Sequence, residues 1–233
     1  VEVQACINGS RTRDQHPRLP RNPDDLGRQA RECADAGATS VHVHPRELRR
    51  ESMAAPAVAK AVNAIRAAAP GLPVGVTTGA WLVENPRDRV SLIEEWDVLP
   101  DFASVNWHEE GASEVSAALL DRGIGLEVGL WTLSAARTWV SSEIQSECLR
   151  VLVELPSRAT VELADEILDI VGDEYPVLVH GEDESCWPAL RYALERGHSI
   201  RIGLEDTLEL PDGSPAPDNA GLIAAALELL REA

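Results

Sequence analysis

Two histidines stand two residues apart in the stretch Thr39-Ser-Val-His-Val-His-Pro-Arg46. In extended chain, alternate side chains share a face and residues two apart carry Cβ atoms ~6–7 Å from each other. His42 and His44 can therefore converge on one ion, while Val41 and Val43 face the other way. A second stretch, Ser199-Ile-Arg-Ile-Gly-Leu-Glu-Asp206, sorts Arg201, Gly203 and Glu205 onto one face and Ile200, Ile202 and Leu204 onto the other. An interior carboxylate is costly unless a cation balances it. Two neutral imidazoles plus Glu205 would give a divalent ion three N/O ligands and leave a position open for water or substrate. Zinc suits that donor set best, with nickel, cobalt or iron as competitors. The plainer alternatives are a pair of core histidines and a Glu205–Arg201 salt bridge.

Positioning such groups requires a scaffold, and the chain spells one out. Short β-branched runs near 3–7, 39–44, 73–77, 102–107, 124–130, 149–154, 176–180 and 199–204 alternate with helical patterns near 24–36, 56–69, 87–96, 112–121, 133–147, 161–171, 185–196 and 218–231. Asn22-Pro23 and Asn85-Pro86 read as helix starts, and Gly37, Gly123 and Gly197 as helix ends. Eight strand–helix units predict a parallel sheet with right-handed crossovers, closed as a (β/α)8 TIM barrel within one domain, residues 1–233. A doubly wound open sheet competes, but no G-x-G-x-x-G follows the first strand and no Walker sequence occurs.

Composition narrows the partners. A net charge of −18 argues against nucleic acid and against anionic membrane, both of which repel it. No apolar run approaches the ~20 residues of a bilayer span. Four scattered cysteines without a C-x-x-C pair fit neither a disulfide framework nor a thiolate zinc site. With no basic-then-apolar leader at the start of the sequence, the expectation is a cytoplasmic protein.

In a barrel the carboxyl ends of the strands make the site. There the sequence gathers Asn8-Gly9-Ser10-Arg11, Thr77-Thr78-Gly79, Ser104 and Asn106 followed by His108 and Glu109, the inward-alternating Glu127, and His180-Gly181, with Trp107, Trp131 and Trp187 near the same rim. The run A-G-A-x-x-V-H-V-H-P-R, Thr-Thr-Gly-Ala at 77–80, Ser-Val-Asn at 104–106 and Arg-Ile-Gly-Leu-Glu-Asp at 201–206 together resemble the beta-keto acid cleavage enzymes. The likeness runs in order along nearly the whole chain.

That resemblance implies a TIM barrel, commonly a homotetramer, with zinc held by His42, His44 and Glu205. It implies exchange between a β-keto acid and acetyl-CoA, giving acetoacetate and a new acyl-CoA. Asp206 is then the candidate base, acting with Arg201. Thr78, Ser104, Asn106 and Glu127 resemble positions that hold the substrate. Arg201 and Asp206 fall on opposite faces of a regular strand, so their pairing requires the chain to turn at Glu205-Asp206. Family members with amino-bearing substrates carry a glutamate where this chain has Arg11, which suggests a pocket for an anionic tail such as that of a keto-diacid. The loop after the second strand, ELRRESM, also lacks the usual glycine. A metal-dependent aldolase or hydrolase that uses no CoA, and a non-catalytic barrel, are the alternatives.

Overall fold

A computed structural model describes residues 1–232. Eight parallel strands close into a barrel: β1 (Val3–Cys6), β2 (Ser40–Val43), β3 (Val74–Thr77), β4 (Phe102–Asn106), β5 (Gly125–Leu130), β6 (Cys148–Leu155), β7 (Val177–Gly181) and β8 (Ser199–Ile202). Each neighbours the next in chain order, and β1 pairs with both β2 and β8 to complete the ring. Helices α1 (Pro23–Ala36), α2 (Ala55–Ala68), α3 (Pro86–Glu94), α4 (Ala112–Asp121), α5 (Leu133–Val140), α6 (Val161–Val171), α7 (Cys186–Glu195) and α8 (Asn219–Glu232) follow the strands in turn.

Local chemistry explains the element ends. The Asn22 side chain accepts from the Asp25 amide with Pro23 opening α1, and Gly37 closes the helix at φ +114°. Thr132 accepts from the Ala135 amide to start α5. That helix stops at Val140, short of the expected residue 147, and the chain reaches β6 through a 3-10 turn at Gln145–Glu147. A feature absent from the expectation is a small hairpin, Arg46–Glu47 paired with Arg50–Glu51, in the connection after β2. Its turn residues Leu48 (φ 48°) and Arg49 (φ 73°) both adopt left-handed backbone. Such turns favour Asn and Gly, so nothing in this sequence announces it.

The main apolar core lies between barrel and helices. Val41, Val43, Val74, Val76, Leu126, Val128, Val151 and Val153 are fully buried there. Each such side chain contributes about 1.5–3 kcal/mol on leaving water. Inside the barrel the lower half is filled by a mixed layer. Gly75 has no side chain because the Phe102 ring fills the space beside it. The Arg150 guanidinium lies 5.2 Å from that ring's centre. Arg150 Nε also donates to Glu127 Oε1 at 2.6 Å, and Gln4 Nε2 donates to the same oxygen at 2.7 Å. Glu127 is completely buried and paired with Arg150, and a buried pair is costly to break from one side.

Removing one partner of that pair should therefore destabilise the fold strongly. Arg150→Met is expected to lower unfolding free energy by about 3–5 kcal/mol in urea titrations, and Glu127→Leu added to it is expected to recover most of the loss. A double variant as unstable as the single one would show that the charge pair is not what the lower barrel depends on.

Candidate active site

At the carboxyl ends of the strands the barrel opens into a cavity of about 270 Å³. Its wall includes His42 and His44, Arg201 and Glu205, Thr77, Ser104 and Asn106, Trp81 and Trp131, and Glu154 and Glu182. A wider cleft of about 600 Å³ lies at the other end of the barrel, near Val177 and Ser199. Its Asp165 is committed to Tyr192 and Arg196.

β2 delivers the two imidazoles to the cavity, with ring centres 5.3 Å apart and nearly perpendicular. His44 follows the last strand residue and is held by its backbone: Asn8 accepts from the His44 amide and donates to the His44 carbonyl, both at 2.8 Å. After β8 the chain turns, with the Asp206 and Thr207 amides both donating to the Gly203 carbonyl. The turn swings Glu205 and Asp206 inward together. Gly9, at φ +52°, must lack a side chain here, because a Cβ would sit 2.4 Å from Glu205 Cγ. Glu205 Oε1 then stands 3.4 Å from His44 Nε2 and 3.9 Å from His42 Nε2.

One donor atom from each of His42, His44 and Glu205 lies within 4.8 Å of the others. Glu205 Oε2 is buried and lacks a hydrogen-bond partner. Two imidazoles, a carboxylate and an orphaned buried oxygen fit a divalent transition ion of the zinc type. Burial would raise the Glu205 carboxyl, but Arg201 and the two imidazoles outweigh it and hold it well below the usual range. Burial keeps His42 well below its ordinary value. Burial also opposes charge on His44, yet Glu205 and Glu51 push that group up to about 9.

Behind the tripod lie residues that sequence reasoning missed. Glu51, from the hairpin, accepts from His44 Nδ1 at 2.9 Å and from Trp81 Nε1 at 3.0 Å. Trp81 stacks over His44 with ring centres 5.9 Å apart. A carboxylate on the far nitrogen fixes the tautomer, so that His44 Nε2 offers its lone pair to an ion. Period-two alternation along β6 and β7 would have placed Glu154 and Glu182 on the inner face beside the expected His180, had it been extended along those strands.

The turn also resolves the pairing of Arg201 and Asp206. Arg201 Nε stands 3.4 Å from Asp206 Oδ1, and Arg201 Nη2 stands 2.5 Å from Glu205 Oε1. His180 sits between two carboxylates, 3.2 Å from Asp206 and 3.1 Å from Glu154, close enough for ion pairing but off the hydrogen-bond axis. Burial and the Arg201 charge both disfavour a proton on it, yet Glu154 and Asp206 push the imidazole up to about 9. Asn106 is fixed from outside: its amide donates to Glu109, which accepts in turn from the fully buried Arg89.

Three residues expected at the substrate lie elsewhere. Thr78 points out of the cavity and donates to the Ser104 carbonyl, because alternation along β3 turns Thr77 inward instead. Glu127 belongs to the lower layer with Arg150 and Gln4. Arg11 grips the Glu205–Asp206 turn through both backbone carbonyls and pairs with Asp183 at 2.5 Å. Of the expected tryptophans Trp131 lines the cavity, whereas Trp107 packs in the core and Trp187 donates to the Glu209 carbonyl.

Comparison with known proteins places this geometry in context. The chain is 22% identical over 256 residues to the 3-keto-5-aminohexanoate cleavage enzyme of Acetoanaerobium sticklandii, covering 99% of this chain and 91% of that protein. It is 24% identical over 260 residues to the 3-oxoadipate:acetyl-CoA acetyltransferase of Cupriavidus necator, covering 99% and 88%. Among solved structures, ObcA with oxaloacetate superposes with a TM-score of 0.72 at 16% identity, over 93% of this chain and 64% of that one. The 3-dehydroquinate dehydratase of Aquifex aeolicus superposes with a TM-score of 0.62 at 12% identity, covering 100% of this chain and 98% of that one, a likeness of fold alone. The profile of the beta-keto acid cleavage enzyme family matches residues 1–122 and 153–233, so that the interruption falls on β5, α5 and more than half of β6. With both the H-x-H stretch and the R-x-G-x-E-D stretch inside the matched segments, this chain belongs to the beta-keto acid cleavage enzyme family.

Proposed function

We propose that this protein is a metal-dependent enzyme that exchanges acyl groups between a β-keto acid and acetyl-CoA, releasing acetoacetate and a new acyl-CoA. The observation that carries the reading is the convergence of His42, His44 and Glu205 within 4.8 Å, beside a buried Asp206. Names of two relatives support the chemistry, one a keto acid cleavage enzyme and one an acetyl-CoA acetyltransferase.

His42 Nε2, His44 Nε2 and Glu205 would hold the ion, with zinc the best match to the donors. Such an ion, when bound, supplies Lewis-acid polarisation of a keto oxygen and so acidifies the neighbouring C2 proton. Ser104 and Asn106 offer hydrogen bonds to the substrate carboxylate from the opposite wall. Asp206 takes the C2 proton, with Arg201 and His180 holding its carboxylate in place. C2 attacks the acetyl carbonyl and the CoA thiolate leaves. The thiolate then attacks the original keto carbonyl, the old carbon–carbon bond breaks, and the proton returns from Asp206 to the departing acetoacetate carbon. Trp81 and Trp131 narrow the opening and limit water.

A panel of β-keto acids incubated with acetyl-CoA is expected to yield acetoacetate. Asp206→Asn should lower kcat by about 10²–10⁴-fold without loss of bound metal by elemental analysis. Retention of full activity in that variant would remove Asp206 from the reaction.

Ion binding must displace the proton that Glu205 and Glu51 hold on His44. That group titrates at about 9 in the metal-free protein, so zinc affinity should rise with pH, about tenfold per unit across the range below 9, and level off above it. Competition with a chelator across pH 6–10 measures the slope. Glu51→Ala should weaken affinity about 10–100-fold, while a flat profile would mean that His44 is not a ligand.

A further inference from the structure

Away from the tripod, the cavity wall is built by Trp131 at the end of β5, Glu154 on β6 and Glu182 just past β7. Glu154 is only 6% exposed. Its Oε2 faces His180 at 3.1 Å, but its Oε1 leans over Gly129, where a Cβ would lie 2.4 Å from it, and finds no donor among the described residues. Glu154 lines the cavity. Glu182 is half-buried and forms no ion pair among the described residues; burial pushes its carboxyl up.

Among the described residues no free cation balances these groups from within the cavity. Arg201, the one guanidinium of the described wall, is committed to Glu205 and Asp206. Arg11, expected to receive an anionic tail, instead holds the Glu205–Asp206 turn and Asp183. A carboxylate tail would meet the unpaired Glu182 and the Glu154 oxygen that faces away from His180. A neutral tail would leave the buried Glu154 oxygen unpaired, an omission to which sites built for hydrogen bonding are sensitive.

We propose that Glu154 and Glu182 form a specificity wall for a β-keto acid whose tail carries an ammonium group, with Glu154 Oε1 and the Glu182 carboxylate accepting its N–H donors. Trp131 adds an aromatic surface on which the cation and its methylenes rest. This rests on the reading above that the cavity receives a β-keto acid.

Two measurements test it. Acetoacetate formation from acetyl-CoA is compared for 5-amino-3-oxohexanoate, 3-oxohexanoate and 3-oxoadipate. The amine is expected to lead the diacid by about 100-fold or more in kcat/KM, of the order seen when a site's hydrogen-bond partner is withheld. Glu182→Gln and Glu154→Gln should each reduce the amine-to-neutral ratio by about tenfold or more. Calorimetry with 5-aminohexanoate, hexanoate and adipate, which cannot react, reads tail recognition separately. Only the amine is expected to bind well, and each variant should weaken it. Preference for the diacid, or an unchanged amine-to-neutral ratio in both variants, overturns the specificity wall. Should no keto acid yield acetoacetate, the catalytic reading fails, and the calorimetry still decides whether the wall takes a cation.

Discussion

Everything at the open end of the barrel depends on keeping Glu205 ionised out of water. Its carboxylate lies among Arg201, His42 and His44, and the turn that carries it is fastened by the Cys6 carbonyl, by Gly9 and by Arg11. A buried carboxylate without compensation would protonate or expel itself toward solvent. The surrounding cations prevent that, so the oxygen offered to an ion is already charged when the ion arrives. Arg201 has a second effect because it also reaches Asp206. One guanidinium thereby sets the positions of Glu205 and Asp206 together.

The barrel keeps its two tasks apart along its axis. Below, Phe102, Gln4, Glu127 and Arg150 fill the interior and close it. Above, the interior is left open and polar, with buried charges paired across strands instead of packed against hydrocarbon. Glu127 shows how near these roles stand in sequence. It lies level with Ser104 in the strand register, yet its side chain belongs to the lower layer because Arg150 and Gln4 draw it there.

Strand periodicity made the architecture and the tripod legible, since alternation of apolar and polar residues is strong in β2 and β8. His42, His44 and Glu205 could be chosen from two short stretches because their residue types are costly inside a barrel without a purpose. The turn at 203–206 was foreseeable only as a requirement for Arg201 to meet Asp206. What could not be read was side-chain reach. Arg11 has enough length to face the cavity, the solvent or the backbone, and only the folded chain shows it on two carbonyls. Glu51 was hidden for a different reason, because a hairpin turned by Leu48 and Arg49 carries none of the usual turn residues.

That hairpin ties the surface to the ligand sphere. Leu48 at its tip is almost wholly exposed, while Glu51 at its base touches both His44 and Trp81. Backbone forced into the left-handed region at two ordinary residues stores conformational energy, and here that energy sits a few residues from an imidazole's outer nitrogen. The solvent-facing ribbon is therefore an outrigger, with its tip in water and its base bracing one imidazole of the cluster.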